Sequence, residues 1–202
     1  MDSEVQDAFD FALWIVGQAR ALGYEVKHDG AQVFGRVPHV APLAWLHQVY
    51  PPLHERDILR LERRLNRQVP DDYRGWLRRA NGFDAFSGRL VFYGQRTDYS
   101  RDPTVVQPYD LSLPNLQERL RDADKSAFFF GSLLHADYKL FIVPISGVVH
   151  ACARRSAIPM ATWESLSALV TSVMSSLDAV FDGEGHELRK LGLRDLTQGA
   201  LN

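Results

Sequence analysis

The residue types best suited to chemistry in this chain fall in two short stretches. In the segment FDGEGHE, Asp182, Glu184 and His186 alternate and could converge on a cation. His150 and Cys152 stand two residues apart in the strand-like segment GVVHAC. Both side chains would point to the same face there and could pair as base and nucleophile.

Each stretch also has a simpler interpretation. The acidic segment follows an apolar helical pattern and matches no defined ligand spacing, which favours a solvated exit loop. The histidine–cysteine pair lacks a third orienting group and an oxyanion motif, and a lone cysteine is usually a small buried residue. The sequence contains no GxSxG, P-loop, GxGxxG or HExxH motif. We therefore expect no enzyme activity, no cofactor and no metal site.

The composition is that of an ordinary globular protein. The chain has 202 residues, 46% of them hydrophobic, which suits one domain, or one domain with an extension, around a sizeable core. The 25 acidic and 23 basic residues leave a net charge of −2, so no strong field attracts nucleic acid or a membrane surface. One cysteine excludes an intrachain disulfide. The acidic start and the lack of a membrane-length apolar run predict a cytoplasmic protein.

Hydrophobic periodicity and turn residues predict helices at both ends of the chain and strands in the middle. We expect helices over 3–22, 52–65, 71–81, 162–181 and, more weakly, 187–196. We expect a hairpin over 24–37 and strands over 90–94, 127–131, 138–143 and 148–152. Segment 39–52 fits at most one helical turn, and 95–110 a long exposed loop. The pattern predicts an α+β fold: a central, mostly antiparallel or mixed sheet flanked by helices, with an N-terminal helix and hairpin extension.

The predicted helix over 71–81 has the clearest boundaries. Pro70 suits the first turn, where a backbone N–H is not needed, and Asp71 and Asp72 lie at the positive end of the helix dipole. A buried stripe at helical spacing consists of Tyr73, Trp76, Leu77 and Ala80. Gly82 can adopt the left-handed conformation that ends a helix. Folding explains every position, so we expect recognition to reside in the loop that follows.

This helix is part of a longer pattern that resembles the signature of the SUKH superfamily. The matching residues are Ile58, Leu61, Glu62, Leu65, Val69, Pro70, Tyr73, Trp76, Leu77, Asn81 and Gly82. The segments FFFGS, ADYKLFIV, GVVHAC and ATWESLSALV are similar to the family's central strands and closing helix. The resemblance covers residues 51–181. Residues 1–48 would then form an extension packed on this domain, and 182–202 a tail or short helix.

The resemblance implies an α+β fold and a protein-binding role without catalysis. Bacterial members of the family are typically immunity proteins that neutralise polymorphic toxins, and eukaryotic relatives include a yeast regulator of cell-wall synthesis. We therefore expect an immunity protein that binds a cognate toxin domain. The alternative from a different class is a regulatory or scaffolding module with an endogenous protein partner.

Two surfaces are candidates for contact with that partner. The first combines aromatic and acidic residues in the loops after the 71–81 helix: Asp84, Phe86, Tyr93, Asp98 and Tyr99. Alternatively, Tyr93 could pack in the hydrophobic core instead of contacting a partner.

The second surface is a stripe at helical spacing: Arg60, Arg63, Arg64 and Arg67. It is most typical of a solvated helix face, but it could contact an acidic protein. As a weaker alternative, it could bind nucleic-acid phosphates.

Overall fold

A nine-stranded antiparallel sheet organises the computed structural model, which describes residues 2–99 and 105–198. The helices are α1 Asp2–Gln18, α2 Glu55–Leu65, α3 Asp71–Leu77, α4 Leu166–Asp178 and α5 Leu193–Gln198. The strands are β1 Tyr24–Val26, β2 Gln32–Arg36, β3 Trp45–Val49, β4 Phe83–Ala85, β5 Leu90–Phe92, β6 Phe128–Leu133, β7 Tyr138–Ile142, β8 Val149–Ala153 and β9 Pro159–Trp163. Neighbouring strands pair in chain order, and every pairing is antiparallel. The predicted α+β class is confirmed.

Helices α1, α3 and α4 pack with one face of the sheet in the main hydrophobic core. Trp76 of α3 lies at its centre. Its ring contacts Phe9 of α1 and Phe83 and Phe92 of the sheet, with centroid distances of 5.1, 5.6 and 4.8 Å. The predicted burial of Trp76 and Leu77 is confirmed, because both side chains are fully enclosed.

The N-terminal strands β1, β2 and β3 belong to the same sheet as the strands of the rest of the chain. The predicted hairpin is confirmed as β1 and β2, which turn at Asp29 and Gly30. Strand β3 was not predicted, and it pairs with β4, Gln48 opposite Asp84. The boundary that the sequence suggested near residue 50 therefore does not interrupt the sheet.

Helix α3 ends at Leu77, four residues earlier than predicted. Gly82 does have a positive φ of 99°, but it precedes β4 instead of closing the helix. A Cβ at Gly82 would lie 2.9 Å from the carbonyl oxygen of Phe92. Asn81 and Gly82 therefore fix a close backbone crossing between the end of α3 and the end of β5.

The closing helix α4 begins at Leu166, later than the predicted residue 162. The hydroxyl of Ser165 caps it by accepting a hydrogen bond from the N–H of Ala168 over 3.1 Å. The residues before α4 form the edge strand β9, which pairs with β8. The segment ATWESL resembles the start of a helix, and only the pairing with β8 makes its first residues a strand.

Candidate functional site

The two predicted surfaces meet at Asp110. Arg64 of α2 donates a hydrogen bond from Nη2 to Oδ1 of Asp110 over 2.9 Å. Tyr99, from the aromatic loop, donates its hydroxyl to Oδ2 of the same carboxylate. Asp110 is only 2% exposed, and Oδ1 also accepts from the backbone N–H of Ser112 over 2.8 Å. A buried carboxylate therefore fixes the loop against the helix.

Tyrosine and arginine side chains lie around this carboxylate on the outside. Tyr99 is 65% exposed and Tyr109 is 58% exposed. The guanidinium of Arg96 lies over the Tyr99 ring, 5.2 Å from its centroid. The hydrogen bond to Asp110 raises the pKa of Tyr99, so its hydroxyl keeps its proton. We define the Asp110 surface as Tyr99, Tyr109 and Arg64, together with Arg60 and Arg63, the exposed arginines that neighbour Arg64 on α2.

The arginines of the predicted stripe have different environments. Arg60 and Arg63 are exposed, and Arg60 pairs with Asp57 on its own helix over 3.3 Å. Arg67 is half-buried and donates to the carbonyl oxygens of Lys125 and, over 2.9 Å, Ala127. Because Arg64 binds Asp110 and Arg67 binds the carbonyl oxygens of Lys125 and Ala127, the stripe offers fewer free charges to phosphates than its sequence suggests.

The prediction that Phe86 is an exposed contact is wrong. Its side chain is 2% exposed and packs against the rings of His47 and Phe181, at centroid distances of 4.7 and 4.8 Å. The segment GFDAFSG resembles a loop because of its glycines, but β4 lies between two partner strands and is drawn into the core.

Three other predicted residues of the first surface, Asp84, Tyr93 and Asp98, are half-buried, whereas Tyr99 is exposed. Asp84 belongs to β4 instead of a loop, and it lines a cavity together with Tyr93. Asp98 lies beside Tyr99, and its carbonyl oxygen accepts a hydrogen bond from Arg96 over 2.8 Å. The structure thus brings Asp98 and Tyr99 to the Asp110 surface and places Asp84 in an adjacent cavity that Tyr109 also lines.

The acidic segment after α4 folds on itself. Oδ1 of Asp182 accepts hydrogen bonds from the N–H groups of Glu184 and His186, over 2.9 and 2.8 Å. The His186 ring stacks on His39 with centroids 3.9 Å apart. In residues 2–99 and 105–198, no group of three or more histidine, cysteine, aspartate or glutamate side chains is placed to hold a metal ion.

The histidine–cysteine pair is not arranged for nucleophilic chemistry. Cys152 is fully buried, and this burial raises the pKa of its thiol to about 11, which disfavours the reactive thiolate. Nδ1 of His150 lies 2.8 Å from the hydroxyl of Thr162 on β9. Cys152 packs instead with Phe129 and Phe141 in a small cluster on the second face of the sheet.

Sequence reasoning missed Tyr109, Asp110 and Arg96. All three lie in the stretch that was predicted to be a plain exposed loop. One local signal was present, because an aspartate two residues before Ser112 can accept its backbone N–H and form a tight turn, as Asp110 does here.

Within the described part of the chain, no helix combines the length and the apolar character needed to cross a membrane. Comparisons of the sequence and the fold with models of protein families, with curated proteins and with solved structures find no match.

Proposed function

We propose that this chain is a non-catalytic protein-binding domain of the SUKH type, and that it acts in the cytoplasm as an immunity protein. It would bind a cognate toxin domain and block the toxin's active site or its access to substrate. The resemblance in residues 51–181 suggests the family, and the Asp110 surface supports the protein-binding role.

The observation that carries the proposal is the shared carboxylate of Asp110. By holding Arg64 and Tyr99 at once, it aligns exposed side chains from a helix and from a loop in one patch. Protein interfaces favour tyrosine and arginine. Tyrosine offers a large contact area and loses few rotamers on binding, and arginine offers several hydrogen-bond donors. A pre-aligned patch also loses less conformational entropy on binding. Its cationic helix suits a partner with an acidic contact surface.

The test is co-expression with any toxin domain that the genes adjacent to this one encode. We expect the parent chain to restore growth and to co-elute with the toxin domain. A chain with Tyr99→Ala, Tyr109→Ala and Arg63→Ala should lose at least about tenfold in affinity, because interface anchors each contribute about 1–2 kcal/mol or more. The matched control is Trp14→Ala, which removes an aromatic side chain from α1, outside the Asp110 surface. The Trp14 side chain is 64% exposed.

The outcomes separate the alternatives. Loss of protection with Trp14→Ala and not with the triple variant would place the interface on α1. Failure of the parent chain to bind or protect would overturn the immunity role. Binding to an endogenous protein instead would favour a regulatory module, and binding to RNA or DNA that weakens steeply with salt would favour the nucleic-acid alternative.

A further inference from the structure

A cavity of about 280 Å³ opens on the face of the sheet opposite the helical layer. It lies beside the β4–β5 turn and the β6–β7 turn. Its polar lining consists of Asp84, Ser87, Tyr93, Tyr109, Ser132 and His135. These side chains come from two strands, two turns and the loop before residue 110, so the cavity is assembled from segments far apart in the chain.

The two turns beside the cavity share an unusual backbone conformation. Phe86, Ser87 and Gly88 have φ values of 54°, 51° and 88°, and Leu134, His135 and Ala136 have 52°, 58° and 66°. Left-handed conformations in bulky residues are rare and tend to concentrate at functional sites. The turns also bind each other, because the N–H of His135 donates to the carbonyl oxygen of Gly88 over 3.0 Å. Each turn therefore holds the other in place at the rim.

Asp84 presents an incompletely paired carboxylate to this cavity. Its Oδ1 accepts a hydrogen bond from the N–H of Gly88 over 2.8 Å. Within residues 2–99 and 105–198, its Oδ2 accepts no hydrogen bond, and no lysine or arginine forms an ion pair with it. The hydroxyl of Ser87 on the same wall is buried and also has no hydrogen-bond partner in the described chain.

We propose that this cavity binds a small organic cation, an alkylguanidinium or alkylammonium group, with Asp84 as its counter-ion. The hydroxyl groups of Ser87 and Ser132 would accept hydrogen bonds from its N–H groups. Tyr93 and Tyr109, whose ring centroids are 5.6 Å apart, would supply the aromatic surface that cations favour. An anion would meet the Asp84 carboxylate without a compensating cation, and a purely apolar ligand would leave Oδ2 of Asp84 and the hydroxyl of Ser87 without hydrogen-bond partners.

The protonation of Asp84 makes the binding dependent on pH. Burial raises its pKa to about 7, so the carboxylate that pairs with a cation becomes fully available only above that pH. The titratable groups around it are Tyr50 after β3 and Tyr93, whose pKa values are raised by burial so that both stay neutral, together with Tyr109 and with His135 on the neighbouring turn. Burial and Arg89 lower the pKa of His135. Affinity should therefore rise about tenfold between pH 6 and pH 8.

The test is a titration of the full chain with N-methylguanidinium chloride, followed through backbone amide NMR shifts at matched ionic strength. We expect saturable shifts at Ser87, Gly88 and His135. Asp84→Asn, whose amide oxygen can still accept from the Gly88 N–H, should bind at least about tenfold more weakly. The matched control is Asp137→Asn, which removes an exposed carboxylate from the β6–β7 turn outside the cavity and should bind as the parent does.

A second series separates Asp84 from His135. In His135→Gln the rise in affinity with pH should persist, because Asp84 causes it. A peptide with one arginine between two glycines, compared with its citrulline analogue, distinguishes a protein side chain from a free small molecule as the natural source. No saturable shift in the parent, or equal binding by folded Asp84→Asn, would overturn the proposal. Neither result depends on a toxin, so the proposed immunity role would stand or fall separately.

Discussion

The side-chain amide of Asn81 and the backbone of Gln95 form two hydrogen bonds with each other. Nδ2 of Asn81 donates to the carbonyl oxygen of Gln95 over 2.8 Å, and Oδ1 accepts from the Gln95 N–H over 2.6 Å. Both residues are buried. A Cβ at Gly94 would lie 2.2 Å from the carbonyl oxygen of Asn81, so only glycine allows this approach. The contact sets where the chain leaves β5 and enters the loop that carries Tyr99.

Replacing Asn81 with Ala should therefore destabilise the protein by about 1–3 kcal/mol, because it leaves the buried N–H and C=O of Gln95 without partners. The free energy of unfolding, measured in urea, checks this. Gln68→Ala, an exposed polar residue near the start of α3, is the control and should change stability by no more than about 0.5 kcal/mol. Equal effects of the two changes would contradict the structural role of Asn81.

The sequence predicted the elements whose patterns are local and long. Helices α1, α2 and α4 have several turns of apolar periodicity, and the β1–β2 hairpin has an Asp29–Gly30 turn, so each could be recognised without its partners. Strands β3, β4 and β9 have three to five residues each. Pairing with neighbours decides their structure, as with β3 and β4, which lie more than thirty positions apart at Gln48 and Asp84.

The candidate site was harder to predict for the same reason. The sequence can place Arg64 on an exposed helix face and Tyr99 in a loop, but it cannot show that both bind one carboxylate at Asp110. It likewise cannot show that Phe86 fills a core site beside His47. These are contacts between distant segments, and periodicity carries no information about them.

Trp76→Ala should destabilise the protein by about 3–5 kcal/mol, because it opens a cavity at the contact between α1, α3 and the sheet. The matched control is Leu59→Ala on α2, where the side chain is 47% exposed and its loss should matter little. Urea unfolding followed by far-UV circular dichroism measures both. A Trp76→Ala chain as stable as the control would show that the aromatic cluster is not the centre of the fold.

Ala136→Gly should stabilise the protein by about 0.5–1 kcal/mol. Ala136 has a φ of 66°, where glycine avoids the strain of a Cβ, although glycine loses more entropy on folding. Ala179→Gly is the control, since Ala179 follows α4 with an ordinary φ of −66° and only the entropy loss applies. The control should be destabilised by about 0.5–1 kcal/mol. Thermal unfolding of both variants shows the opposite signs, and equal signs would argue against strain in the β6–β7 turn.

Stability should fall in mild acid because of His47. Burial lowers the pKa of His47 from 6.5 to about 3, so below pH 6.5 the unfolded chain takes up a proton that the folded chain does not. The free energy of unfolding therefore decreases as the pH falls through this window, by up to about 1.4 kcal/mol per pH unit from this group. Asp84, with a raised pKa, acts in the opposite direction, so the measurement must compare variants.

The variant for this comparison is His47→Asn, whose Oδ1 can still accept the hydrogen bond that Nδ1 of His47 accepts from the Phe86 N–H over 3.3 Å. Urea unfolding at about pH 7.5 and pH 5 gives, for the parent and for the variant, the change in the free energy of unfolding with pH. We expect the variant to lose less stability than the parent on acidification. Parallel slopes would show that His47 takes up its proton in the folded state as readily as in the unfolded state.

Arg64 and Tyr99 should be energetically coupled, although they lie on different segments, because both bind the carboxylate of Asp110. In a double-mutant cycle, Arg64→Ala and Tyr99→Phe each remove one donor to a buried acceptor. Once one donor is gone, the carboxylate interacts differently with the other donor. The stability lost in the double variant should therefore differ from the sum of the two single losses by about 0.5 kcal/mol or more.

Arg60→Ala with Tyr99→Phe is the matched cycle. Arg60 pairs with Asp57 and shares no acceptor with Tyr99, so these two changes should add within about 0.5 kcal/mol. Additivity in both cycles would mean that Asp110 does not tie the loop to the helix, and the pre-aligned patch on which the proposed function depends would lose its physical basis.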